Sequence, residues 1–152
     1  MSIKTQGTNL FFIDSNAVVT MQCPTGITGL GGTRDQIETT CLNATDDKSY
    51  VSGLGNPGQV SVPFVFDPQA SSHQALLDLH DTGDVTKWAI GLSDGTATPT
   101  IVSGDFSFAS TRTYAEFDGF VADIAIDIAT NEVVRGTLTL QRSGSVAWSF
   151  KA

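Results

Sequence analysis

A chain of 152 residues is long enough to bury a core without metals or disulfide staples and is expected to fold as a single domain over 1–152. Its 40% hydrophobic and 16% charged content places it among globular rather than disordered chains. Sixteen acids against eight bases give a net charge of −8, and the bases are scattered along the chain, which argues against the clustered cationic face of a phosphate-tracking protein.

No apolar run approaches the roughly 20 residues of a membrane span, and "LFFI" is too short for the core of a signal peptide. The chain is therefore expected in the cytoplasm when made. In that reducing compartment Cys23 and Cys41 are expected as free thiols on strands.

Most of the chain reads as strands. "NLFFIDSNAVVTMQC" is two β-rich runs around a hairpin turn at Asp14-Ser15-Asn16. "GITGLGGTRD" is turn-like, and in "DQIETTCL" Ile37, Thr39 and Cys41 alternate with polar residues as in a half-exposed strand. A long polar loop over about 43–59 follows, and loops of that length are usually functional or disordered. In "QVSVPFVFD" Val60, Val62, Phe64 and Phe66 share a face, and Pro63 marks an edge strand.

The sequence then predicts one helix, over about 69–81, with Asp67 as N-cap, Pro68 in the first turn, a stop at Gly83, and His73, Leu76, Leu77 and His80 on one stripe. Strand signals resume at "KWAIGL", "TIVSGDFSFAST", "YAEFDGFVADIAIDI", "EVVRGTLTLQ" and "VAWSF". Within "FVADIAIDIA", simple alternation sends Phe120, Ala122, Ile124, Ile126 and Ile128 to the core. It sends Val121, Asp123, Ala125, Asp127 and Ala129 to a small, acidic face toward water. The fold class expected is mainly β, an antiparallel sandwich or barrel flanked by one helix.

Catalytic chemistry is thin. "DTG" at Asp81-Thr82-Gly83 reads as a helix stop rather than the paired loop of an aspartic protease. His73 and His80 lie two turns apart, about 10 Å along a helix, too far to share one metal ion. "GLGG" at Gly29–Gly32 lacks the Lys-Ser/Thr of a phosphate loop. No cofactor, metal site or catalytic residue is expected, and an enzyme is disfavoured.

Two stretches carry a resemblance. In the first, Asp35, Ile37, Glu38, Thr39 and Leu42 precede a polar loop, then Tyr50, Gly53, Leu54, Asn56 and Gly58 lead into the strand from Val60. The second holds Phe117, Gly119, Phe120 and Val121, then Thr139, Ser143, Gly144 and Val146. Their order and spacing resemble the tail tube (major tail) proteins of long-tailed bacteriophages, with Asn56 where that family's turn more often has Asp.

The resemblance implies a tail tube fold and a structural role in the virion: hexameric rings stacked into a hollow tube that conducts the viral genome. The partners implied are further copies of the chain, the tape-measure, terminator and tail-tip proteins, and double-stranded DNA passing without specific binding. No membrane insertion is implied. The long loop, with Asp46, Asp47, Lys48, Tyr50, Gly53 and Leu54, would reach the adjacent subunit or ring and fold on contact. Asp123, Ala125 and Asp127 would line the lumen. The alternatives are another ring-forming tail component, such as a terminator or a contractile or secretion-type tube, and a monomeric ligand-binding β-sandwich. Trp88 and Trp148 are expected in the core or an interface.

Overall fold

The computed structural model describes residues 2–152. In chain order its elements are β1 (Asn9–Asp14), β2 (Ala17–Thr20), β3 (Thr33–Glu38), β4 (Tyr50–Asn56), β5 (Gln59–Val65), α1 (Ser71–Thr82), β6 (Thr86–Gly91), β7 (Thr100–Val102), β8 (Asp105–Ser107), β9 (Tyr114–Asp127) and β10 (Arg135–Ser149). Six strands form one antiparallel sheet in the order β2-β1-β6-β9-β10-β5, while β3 pairs only with β4 and β7 only with β8.

The turns explain the local pairings. Ser15 and Asn16 both take left-handed φ values, 50° and 60°, and close β1 onto β2 with Asp14 opposite Ala17. Such paired left-handed residues match the twist of a two-residue hairpin. Ser103 and Gly104 do the same between β7 and β8, so "TIVSGDFSFAST" is a hairpin and not one strand.

Conversely, "EVVRGTLTLQ" and "VAWSF" belong to one continuous strand, β10. Between Ser143 and Ala147 it carries an outward bulge that Gly144 enters at φ 88°. Neither cysteine lies on a strand, although both are free and exposed.

One face of the sheet packs against α1. Leu10, Phe12, Trp88, Phe117, Val121, Leu138, Leu140, Val60 and Val62 meet Leu76 and Leu79 there. Trp88 is fully buried, donates Nε1–H to the Gly119 carbonyl at 3.1 Å, and lies 5.0 Å from the Phe12 ring.

The helix begins about half a turn later than its expected start. Asp67 does not cap it: its carboxylate accepts from the Gln69 amide at 3.0 Å, and its carbonyl accepts from Ala70 at 3.1 Å, closing a turn ahead of the helix. Gly83, at φ 70°, ends it with an N–H bond to the Leu79 carbonyl.

The buried stripe of α1 is Ser72, His73, Leu76 and Leu79; His80 is exposed. The Asp67 amide donates to His73 Nδ1 at 3.0 Å, so Nε2 carries the proton given to the Gln22 carbonyl at 2.7 Å. The ring stacks on Phe66. This histidine is a packing residue with both nitrogens used.

The opposite face is covered only at one end, where β7–β8 and Phe108 pack on Phe11, Ala89 and Tyr114. A buried guanidinium ties that end together. Arg112 donates to the carbonyls of Leu92, Ala97, Gly7 and Gly91 and to the Asn9 side chain, all at 2.7–3.0 Å, and its Cζ lies 5.7 Å from the Phe11 and Tyr114 rings. Five neutral acceptors replace the water it loses, as a buried charge requires.

Candidate assembly interface

Among the described residues, two surfaces are left without an intramolecular cover. The first is the β3–β4 hairpin, an arm that shares no sheet with the body. Its β-branched and aromatic residues favour strand pairing, and the pairing continues past β3 through the Thr39 amide to the Ser49 carbonyl. Part of the expected loop over 43–59 is therefore strand: Tyr50, Gly53 and Leu54 lie on β4, while Asp46, Asp47 and Lys48 sit in the connecting tip.

The strands pair with each other within the chain, so the segment is a hairpin with a short irregular tip and not a loop throughout. Alternating polarity was masked at Gly53–Leu54, where β4 carries an extra residue opposite Asp35 and throws Leu54 outward. Every residue of the arm strands except Gly53 is exposed, including Ile37, Tyr50, Val51 and Leu54. Leu42 at the tip is fully exposed.

The arm is held at its feet. Arg142 on β10 is buried and donates Nη1–H to the Leu30 carbonyl at 3.1 Å and Nη2–H to the Pro57 carbonyl, so one side chain grips the chain just before β3 and just after β4. Gly29, at φ 94°, brings the incoming chain so close to Gln59 that an added Cβ would lie 2.1 Å from its carbonyl oxygen. No sequence pattern flags Arg142 for this role, because its partners are backbone carbonyls 112 and 85 residues away.

The incoming chain also shields the outer edge of β5. Thr25 donates to the Pro63 carbonyl, and Thr28 and Ser61 exchange backbone hydrogen bonds. Pro63, on an edge strand as expected, turns its missing donor toward this irregular segment and leaves the ladder to β10 intact.

The second open surface is the uncovered part of the sheet. Asp123, Ala125 and Asp127 share it, each exposed, opposite Thr139, Thr137 and Arg135 of β10, which in turn face Ser61, Pro63 and Val65 of β5. Apart from Arg135, these three cross-strand rows carry no long side chain.

The alternation that placed Val121 on this face is wrong. Val121 pairs with Leu140 and Asp123 with the preceding Thr139, so Ala122 is an extra, bulged residue that reverses the parity. Val121 is in the core, and Phe120 lies on the open side opposite Gln141. Ile126, near the end of β9, and Ile128, just beyond it, are exposed and not in the core.

Nearer the covered end, Lys87 bridges Asp105 and Asp118 at 3.2 and 3.3 Å; partial burial opposes its charge, but the two carboxylates outweigh it and raise its pKa. Burial raises the pKa of neighbouring Glu116. Among the described residues no group of His, Cys, Asp and Glu could hold a metal ion, and no helix is long and apolar enough to cross a membrane.

Comparison with known proteins agrees with these features. The chain is 40% identical over 149 residues to structural protein 3 of Pseudomonas phage PAJU2, covering 93% of this chain and 90% of that one. Its fold is similar to the sheath/tube terminator of the PVC extracellular contractile injection system (TM-score 0.71, 12% identity, 98% and 97% of the two chains). It is also similar to the tail of an empty gene transfer agent particle with C6 symmetry (0.70, 12%, 97% and 99%) and to the SPP1 tail tube (0.66, 13%, 98% and 80%). The family described as phage tail tube, TTP, lambda-like matches residues 1–152. The chain belongs to this family: it is a structural protein of the virion tail, not an enzyme.

Proposed function

We propose that the chain is the repeating subunit of a tail tube, with six copies closing a ring and successive rings stacking into a hollow cylinder. The observation that carries this reading is the arm. A lone two-stranded hairpin is marginal in water, and this one exposes Ile37, Tyr50, Val51 and Leu54 in addition to Leu42 at its tip. Seating it on an adjacent subunit or ring buries that surface and satisfies its edges. Sixfold closure is favoured by analogy with the gene transfer agent tail that shares the fold and has C6 symmetry.

The open face with Asp123, Ala125 and Asp127 then lines the lumen. Short side chains give a smooth wall, and the net charge of −8 per subunit, repeated around a ring, keeps the phosphate backbone from adhering as the genome passes. Tape-measure, terminator and tail-tip proteins are the partners inside and at the ends of the tube. The second reading is a terminator, the role named for the PVC protein of similar fold.

Negative-stain electron microscopy of the purified protein at rising concentration tests the proposal. Hollow tubes with six-fold end views are expected. Single rings that never elongate point to the terminator, and a chain that remains monomeric at every concentration overturns the reading.

A further inference from the structure

Between the foot of the arm and the bulge of β10 lies a groove of about 470 Å³, lined among others by Arg34, Pro57, Arg142, Ser145, Val146 and Trp148. Its chemistry is unlike the rest of the surface. Two of the chain's eight basic residues line it and no acid does, in a protein of net charge −8. Trp148 is half exposed at its lip and stacks on the exposed Phe150 ring at 6.0 Å.

Arg142 is buried, yet its Nε–H has no acceptor. Its Nη groups are taken by the Leu30 and Pro57 carbonyls, so the exposed guanidinium that the groove offers is that of Arg34. An occupant that is apolar and acidic fits this lining.

We propose that the groove receives the arm tip of a second copy, the segment Leu42–Asp47. This segment presents a fully exposed leucine beside two exposed carboxylates, Asp46 and Asp47, the complement of an aromatic lip and the exposed Arg34 guanidinium in a lining without acids. The assignment rests on the tube reading above and names the acceptor for the arm.

The tip cannot fill its own groove. At about 3.3 Å per residue, β3 alone sets tip and foot roughly 15–20 Å apart. Tip-to-foot docking is a head-to-tail contact, the kind that closes rings or propagates stacks.

Cysteine cross-linking of the full chain tests the assignment. In a Cys23→Ser background the native Cys41 lies beside Leu42, and Ser145→Cys places a second thiol on the groove lip. A disulfide needs Cα atoms within about 7 Å, so only an intermolecular bond can form. Mild oxidation of assembled protein is expected to give a covalent ladder, and adding Leu42→Asp is expected to reduce that ladder at least tenfold without changing the circular dichroism of the monomer.

A control chain carries Cys41→Ser, Thr130→Cys and Ser145→Cys, which offers the β9–β10 turn instead of the arm tip. A ladder from this control in place of the native tip overturns the assignment. Tubes that form but stay uncross-linked at 145 also overturn it and leave the tube reading standing. A parent chain that makes neither tubes nor rings overturns both.

Discussion

Val121 and Asp123 stand two residues apart on β9 and point to opposite faces of the sheet, because Ala122 between them is bulged out of the ladder. Val121 is only 3% exposed in the core against α1, while Asp123 is open to solvent. Val121→Asp is therefore expected to cost about 3 kcal/mol or more by burying an unpaired charge, while Asp123→Val stays within about 0.5 kcal/mol. Urea melts of the two variants decide it. Equal costs would mean that the strand runs without the bulge.

The same bulge delivers Asp123, Ala125 and Asp127 together onto the open face. If that face lines the lumen, replacing Asp123 and Asp127 with Lys leaves tube assembly intact, since neither side chain is buried or in an ion pair among the described residues. Genome delivery is expected to fall at least tenfold, with the defect easing at higher salt as phosphate attraction is screened. Assembled tubes that deliver DNA at the parental rate would place these residues on some other surface.

For the arm, the informative position is Leu54, which the β4 bulge turns outward at 84% exposure. Leu54→Asp removes no intramolecular packing and is expected to change monomer stability by less than about 0.5 kcal/mol. Tube formation should nevertheless be lost or need at least tenfold more protein, measured by sedimentation. Normal polymerisation by this variant would show that the apolar surface of the arm is not an assembly contact.

Local chemistry made the β1–β2 hairpin, the edge position of Pro63, the helix stop at Gly83 and the core tryptophan at 88 readable in the sequence, because each depends on a few neighbouring residues. What was not readable depends on partners far along the chain. Ala122 is an ordinary strand residue until Thr139 and Leu140 pair around it. Gly144 looks like a break between two strands, yet β9 holds both sides of it in one. The arm read as a loop because an exposed hairpin lacks the apolar alternation that burial imposes, and Gly53 obscured what remained. The grip of Arg142 on both its feet is a tertiary fact with no local signature.

Asp94 offers a test of how the C-terminal end is fastened. Its carboxylate accepts hydrogen bonds from the Thr113 hydroxyl at 2.6 Å and the Thr113 amide at 3.0 Å, while Lys151 donates Nζ–H to its carbonyl at 2.8 Å and its own amide to the Thr113 hydroxyl at 3.1 Å. The two Thr113 bonds outweigh partial desolvation and hold the Asp94 pKa below its ordinary 3.8. A carboxylate whose folded pKa is depressed contributes stability that is fully present above the unfolded value and is lost as pH falls through the folded one. Asp94→Asn is therefore expected to lower the urea midpoint at pH 6, with the gap to the parent protein narrowing as pH drops below about 3.8. The Lys151 amide, bonded to the same Thr113 hydroxyl, should exchange faster in the variant at pH 6. A midpoint gap that stays constant from pH 6 down to pH 3 would mean that the ionised carboxylate is not what Thr113 and Lys151 are holding.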